Sequence, residues 1–188
     1  MTKKLKYQAQ SGLAKRVFVA LSAGSSLHAM VELYRREHGR LAVRWVPREN
    51  LHVTLVAPWM CDDTVPVCHA LAEECRNARP FELRFTSVGP GPAGHHPRLI
   101  WATGPVPGEL RQLQGRLQKR FGGSSLAEGK DFLMHMTVAR FRAAGRGANI
   151  GERRVSAGEI CSSVSLMESR LCASGALYRE VCRVRLGG

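Results

Sequence analysis

Two histidines are each followed, two residues on, by a threonine: His52 and Thr54 in Leu51-His52-Val53-Thr54-Leu55, and His135 and Thr137 in Met134-His135-Met136-Thr137-Val138. Side chains of an extended chain alternate between faces, so each histidine shares a face with its threonine while three apolar residues take the other. The two copies lie 83 residues apart. With 7 His and 6 Thr in 188 residues, chance supplies about 0.2 such triplets. A single strand histidine beside a threonine is more often a structural pair; two copies with the same apolar alternation point to a shared task. Unperturbed imidazole titrates near neutrality, so a facing pair can take a proton with one ring and give one with the other. The threonine hydroxyls can donate to nonbridging phosphate oxygens, where transition-state charge collects. Such a site suits phosphoryl transfer and asks for no metal. Arg140, three residues past Thr137, is either a bidentate phosphate contact or a surface arginine.

Each motif needs a strand anchored in a core. Residues 51–57 and 132–141 supply one each, and residues 16–21 (RVFVAL) read as a buried strand ending at a Ser/Ala/Gly cluster. Leu27, Met30, Val31 and Tyr34 recur at helical spacing with Gly39 just beyond. Residues 43–46 form a strand separated from the first motif by the turn PREN. Val65, Cys68, Leu71, Ala72 and Cys75 predict a second helix ending before Pro80. Strands follow at 81–88 and 99–103, and Leu110, Leu113, Leu117 and Phe121 predict a third helix stopping at Gly122. Residues 142–154, rich in Gly and Arg, read as a loop able to touch RNA. Two strands, 164–171 and 177–186, finish the chain about a turn at 173–175. Helices and strands mix without a βαβ rhythm, which predicts an α+β protein with largely antiparallel sheets.

The composition agrees with an anionic ligand. The net charge is +13 and the apolar fraction 44%, so the chain can bury a core and attracts polyanions. A charge serving only solubility is the alternative. The six cysteines, Cys61, Cys68, Cys75, Cys161, Cys172 and Cys182, contain no C-x-x-C pair, and we expect reduced, mostly buried thiols in a cytoplasm. A zinc site at Cys61, Cys68 and His69 lacks a paired ligand motif, and His95 and His96 fall in a Gly/Pro-rich stretch read as a solvated loop. The apolar run near the N-terminus is too short for a signal peptide, and no stretch reaches the roughly 20 apolar residues of a membrane span. Residues 1–14 read as a basic flexible arm and 15–188 as one domain.

The paired HVTL and HMTV motifs resemble the H-x-T-x motifs of the 2H phosphoesterase superfamily. RVFVAL, RWVPRENLHVTLVAPW, HMTVARF and LMESRLCASGALYREV narrow the resemblance to the RNA 2′,3′-cyclic phosphodiesterases, the LigT/ThpR-like group once called 2′-5′ RNA ligases. It implies a bilobal α+β fold: two largely antiparallel sheets with outer helices, in pseudo-twofold arrangement about a central cleft. It also implies a reaction on RNA that ends in a 2′,3′-cyclic phosphate, with a 2′-phosphate as product and a reversible 2′-5′ ligation; separately, we expect a monomer that uses neither cofactor nor metal. In this reading His52 is the proton donor and His135 the acceptor. Phe18, Trp45 and Tyr178 lie in matching segments as candidate base-stacking residues, a core role being the alternative. The chain departs from the pattern at residues 143–155, where family members carry a longer helical segment; the shape of one cleft wall, and with it the preferred RNA end, therefore does not follow from the resemblance. Other readings are a 2H enzyme for a small cyclic nucleotide phosphate or an ADP-ribose derivative, and a non-catalytic RNA-binding module.

Overall fold

The chain alternates short β-branched runs with amphipathic helices. In the computed structural model, which describes residues 14–92, 97–122, 131–142, 150–172 and 175–187, these become nine strands and three helices. In chain order they are β1 (Lys15–Ser22), α1 (Ser25–Glu37), β2 (Val43–Trp45), a 3₁₀ turn (Arg48–Asn50), β3 (His52–Cys61), α2 (Thr64–Cys75), β4 (Phe81–Gly91), β5 (Leu99–Thr103), α3 (Gly108–Phe121), β6 (His135–Phe141), β7 (Arg153–Cys161), β8 (Ser163–Cys172) and β9 (Gly175–Arg185). The expected arm, apart from Ala14, lies outside the described residues, as do His95, His96 and residues 143–149.

All described pairings are antiparallel. One half runs β7-β4-β5-β6, with β2 also on β6, and the other runs β3-β1-β8-β9. The two expected sheets are joined into one continuous sheet at β3 and β6, through the pair Val53–Met136. Helix α1 lies against β7, α2 against β9 and α3 against β3. The predicted helical stripes turn inward where the core needs them. Leu110, Leu113 and Leu117 of α3 are fully buried, each contributing about 2 kcal/mol by removal from water, and Gln114 of the same helix donates to the Leu55 carbonyl at 3.2 Å.

Several expectations need correcting. The segment from Arg153 onward is a strand, β7, paired along β4; its mixed sequence RRVSAGEIC hides the alternation because Ile160 faces solvent. In α2 the buried stripe is Ala70, Leu71 and Cys75, whereas Val65 and Ala72 are exposed. The cysteines are not all reduced: Cys68 of α2 is disulfide-bonded to Cys182 of β9. Spacing rules miss this bond because 114 residues separate the partners and only the packing of α2 on β9 brings them together. Cys61, Cys75 and Cys161 are buried free thiols, and Cys172 is exposed. Burial pushes the thiols of Cys75 and Cys161 up to about 11. With Cys68 bonded and the Cys61 thiol donating to the Asp63 carbonyl, no zinc site forms from Cys61, Cys68 and His69.

Candidate active site

The residue between His and Thr in one motif pairs across the sheet with its counterpart in the other, Val53 with Met136. Antiparallel pairing about these central residues makes a local twofold axis. It sets His52 across from Thr137 and His135 across from Thr54, all four on one face. Val53 and Met136 go the other way and are buried, as are Leu51, Leu55, Met134 and Val138. The four polar side chains line a cleft of about 490 Å³.

Both imidazoles are held the same way. His52 Nδ1 donates to the Asn50 carbonyl at 2.6 Å, and His135 Nδ1 donates to the Leu133 carbonyl at 3.1 Å. A carbonyl can only accept, so each Nδ1 carries hydrogen and each Nε2 is left for the cleft. Nε2 of His52 lies 3.1 Å from Thr54 Oγ1; the hydroxyl donates to the neutral ring and accepts from the imidazolium. Aromatic rings complete each seat. Phe18 and Tyr178 lie 5.1 and 5.2 Å from His52, and Trp101 lies 5.0 Å from His135.

Arg16, Arg44 and Arg140 line the same cleft, whose described lining contains no carboxylate. Strict alternation would place Arg140 on the face opposite His135 and Thr137. A bulge at Val138 reverses this: Trp101 pairs with Thr137 and Ile100 with Ala139, so one residue of β6 is skipped and Arg140 swings to the cleft. His52 lies below the ordinary histidine range. Burial is the main cause, the Asn50 carbonyl opposes it, and the charges of His135 and Arg140 add to the lowering.

The geometry, a mirrored pair of His-x-Thr strands on one cleft face, coincides with what sequence comparison finds. The profile of the 2′-5′ RNA ligase superfamily matches residues 24–153. The chain belongs to this superfamily. A relative from Archaeoglobus fulgidus named RNA 2′,3′-cyclic phosphodiesterase is 28% identical over 130 residues, 68% of this chain and 73% of the relative. One of the same name from Aquifex aeolicus is 25% identical over 187 residues, covering 92% and 98%. In fold, the chain is similar to the TT0787 protein of Thermus thermophilus, with a TM-score of 0.75 over 92% of this chain and 98% of that one, at 22% identity.

Within this superfamily member, the residues singled out from the sequence for catalysis and substrate contact all line this cleft: His52, Thr54, His135, Thr137, Arg140, Phe18, Trp45 and Tyr178. Phe18 is only 2% exposed and packs on Ala20, Met167 and Tyr178, so it supports the His52 ring from below. Trp45 and Tyr178 are half-buried and keep surface toward the cleft. Sequence reasoning missed Asn50, Arg16, Arg44, Ser169 and Trp101. The alternation of 99–103 carries a signal for Trp101: Ile100 and Ala102 are buried, which turns Trp101 and Thr103 to the face of His135. Asn50 is 7% exposed, and its side chain donates to the Ala176 carbonyl at 2.9 Å, tying the His52 strand to the start of β9. Gly175 there has φ of +130°, a backbone only glycine adopts without strain, and it lies beside the Arg44 guanidinium. Among the described residues no group of three or more His, Cys, Asp or Glu could hold a metal ion, and no helix is long and apolar enough to cross a membrane.

Proposed function

We propose that this protein hydrolyses the 2′,3′-cyclic phosphate at the end of an RNA, leaving a 2′-phosphomonoester. The observation that carries the reading is the twofold seat of His52, Thr54, His135 and Thr137 on one face, flanked by Arg16, Arg44 and Arg140. Two curated relatives with this activity in their names support the substrate class.

His135 Nε2 accepts a proton from a water molecule as its oxygen bonds to phosphorus. The bond from phosphorus to the 3′ oxygen breaks, and His52 Nε2 gives that oxygen a proton. Thr54, Thr137 and Arg140 hold the nonbridging oxygens, whose negative charge the site stabilises without moving. Burial favours the neutral form of His52; the phosphate anion of the substrate favours its imidazolium and so prepares the acid. A 5′-hydroxyl in place of water gives 2′-5′ ligation through the same contacts.

The test is to incubate the protein with a short RNA ending in 2′,3′-cyclic phosphate and identify the phosphate monoester formed. A 2′-phosphate end is the expected product. A 3′-phosphate end, or an unchanged substrate, overturns the reading. The division of roles has its own check: a substrate with a much better leaving group should restore turnover to His52→Ala and not to His135→Ala. Restoration of His135→Ala alone reverses the roles.

A further inference from the structure

Beside the cleft, α1 and the 3₁₀ turn enclose a second depression of about 350 Å³ lined by Arg35, Arg36, Arg48 and His28. Trp45 and Val46 belong to both depressions and form the rim between them. The volume falls within the range of ligand sites, and the lining sets three guanidinium groups against one carboxylate, Glu32.

The arginines differ in what they already hold. Arg36 is paired with Glu32 at 3.3 Å. Arg48 donates its Nε–H to His28 Nδ1 at 3.1 Å, a contact that orients the guanidinium and leaves both terminal nitrogens for another ligand. Arg35 has no hydrogen bond or ion pair among the described residues. A third depression also adjoins the cleft, through Tyr178, but there Arg48 and Arg183 meet Glu49 and Glu180, and a polyanion gains little. Of these two depressions, the one beyond Trp45 is electrostatically the more favourable for a polyanion.

We propose that this depression is a second RNA subsite. The strand on the 5′ side of the cyclic phosphate crosses Trp45 and places a backbone phosphate between Arg35 and Arg48. The proposal rests on the substrate class given above and extends it from a terminal nucleotide to an oligonucleotide. Phosphate contacts of this kind position a strand without reading its sequence, so the subsite selects for length. Arg35 and Arg48 lie outside the catalytic cleft's lining, which separates their effect from the chemistry.

The experiment compares the wild-type protein with Arg35→Ala/Arg48→Ala on two substrates: a nucleoside 2′,3′-cyclic phosphate and a hexanucleotide ending in the same group. The double variant should lose roughly tenfold or more in kcat/KM on the hexanucleotide and shed about 0.7 from its log–log salt slope, the value for the one single-strand phosphate that the protein no longer neutralises. The mononucleotide should be turned over at an unchanged rate. Arg35→Lys/Arg48→Lys, which keeps the charge, should retain most of the salt slope and rules out a folding defect. Equal kcat/KM of the Ala variant and wild type on the hexanucleotide overturns the subsite, and so does an equal loss on both substrates. If the wild type hydrolyses neither substrate, the proposed function itself has failed, a result distinct from either.

Discussion

Gly91→Ala probes how His135 is seated without touching it. Gly91 is buried in β4 across from Leu99, and a Cβ there would sit 2.0 Å from Trp101 Cε2 and 2.4 Å from Cδ2 and Cζ2. Carbon atoms pack best at about 3.5 Å or more, so the indole must retreat by roughly 1.5 Å. That indole lies against the His135 ring, tilted at 55° with centroids 5.0 Å apart, and the imidazole is also held by the 3.1 Å bond to the Leu133 carbonyl. Misplacing a reacting group by about 1 Å can cost on the order of 10²-fold in rate. We therefore expect kcat to fall by about that factor, and stability to fall by roughly 1–3 kcal/mol from overpacking. Steady-state turnover of a cyclic phosphate substrate and urea unfolding measure the two. Adding Trp101→Leu should recover most of the stability, because the clashing ring is gone, while kcat stays low. Wild-type turnover in folded Gly91→Ala, or a stability loss that Trp101→Leu leaves untouched, refutes the reasoning.

The pH profile of kcat/KM should be bell-shaped, with limbs belonging to the coupled pair. His52 must be protonated to act, and burial lowers its affinity for the proton. Activity should therefore fall with rising pH as the pair loses the proton that His52 must give. Arg140→Ala removes one lowering charge and should move that limb to higher pH; a shift to lower pH contradicts the assignment. Activity should survive EDTA, since the described cleft lining offers two imidazoles and no carboxylate or thiolate; loss on chelation that zinc restores argues for a metal centre. Without reductant, the native protein should react at one thiol, Cys172, the unfolded protein at four, and the unfolded reduced protein at six; six in the unfolded, unreduced protein contradicts the bond between Cys68 and Cys182.

The chemistry was more legible in the sequence than the walls around it. Alternation alone places His52 with Thr54 and His135 with Thr137, because burial of the flanking apolar residues leaves the strand one choice of face. Arg140 shows the limit: by the same parity it belongs on the other face, and only the skipped residue at Val138 brings it to the cleft. Pairing of Val53 with Met136 is a contact between segments far apart in the chain, and no local pattern encodes it. Strand β7 was hidden for a related reason. It is held by its ladder with β4 more than by apolar side chains of its own, so hydrophobic periodicity carries little of its signal.

The account stands most directly on the turnover of His52→Ala and His135→Ala with an RNA ending in 2′,3′-cyclic phosphate, measured beside RNA binding. Each variant should lose at least the 10²- to 10⁴-fold typical of a missing general acid or base while still binding the RNA. Near wild-type turnover in either one contradicts the two-histidine mechanism.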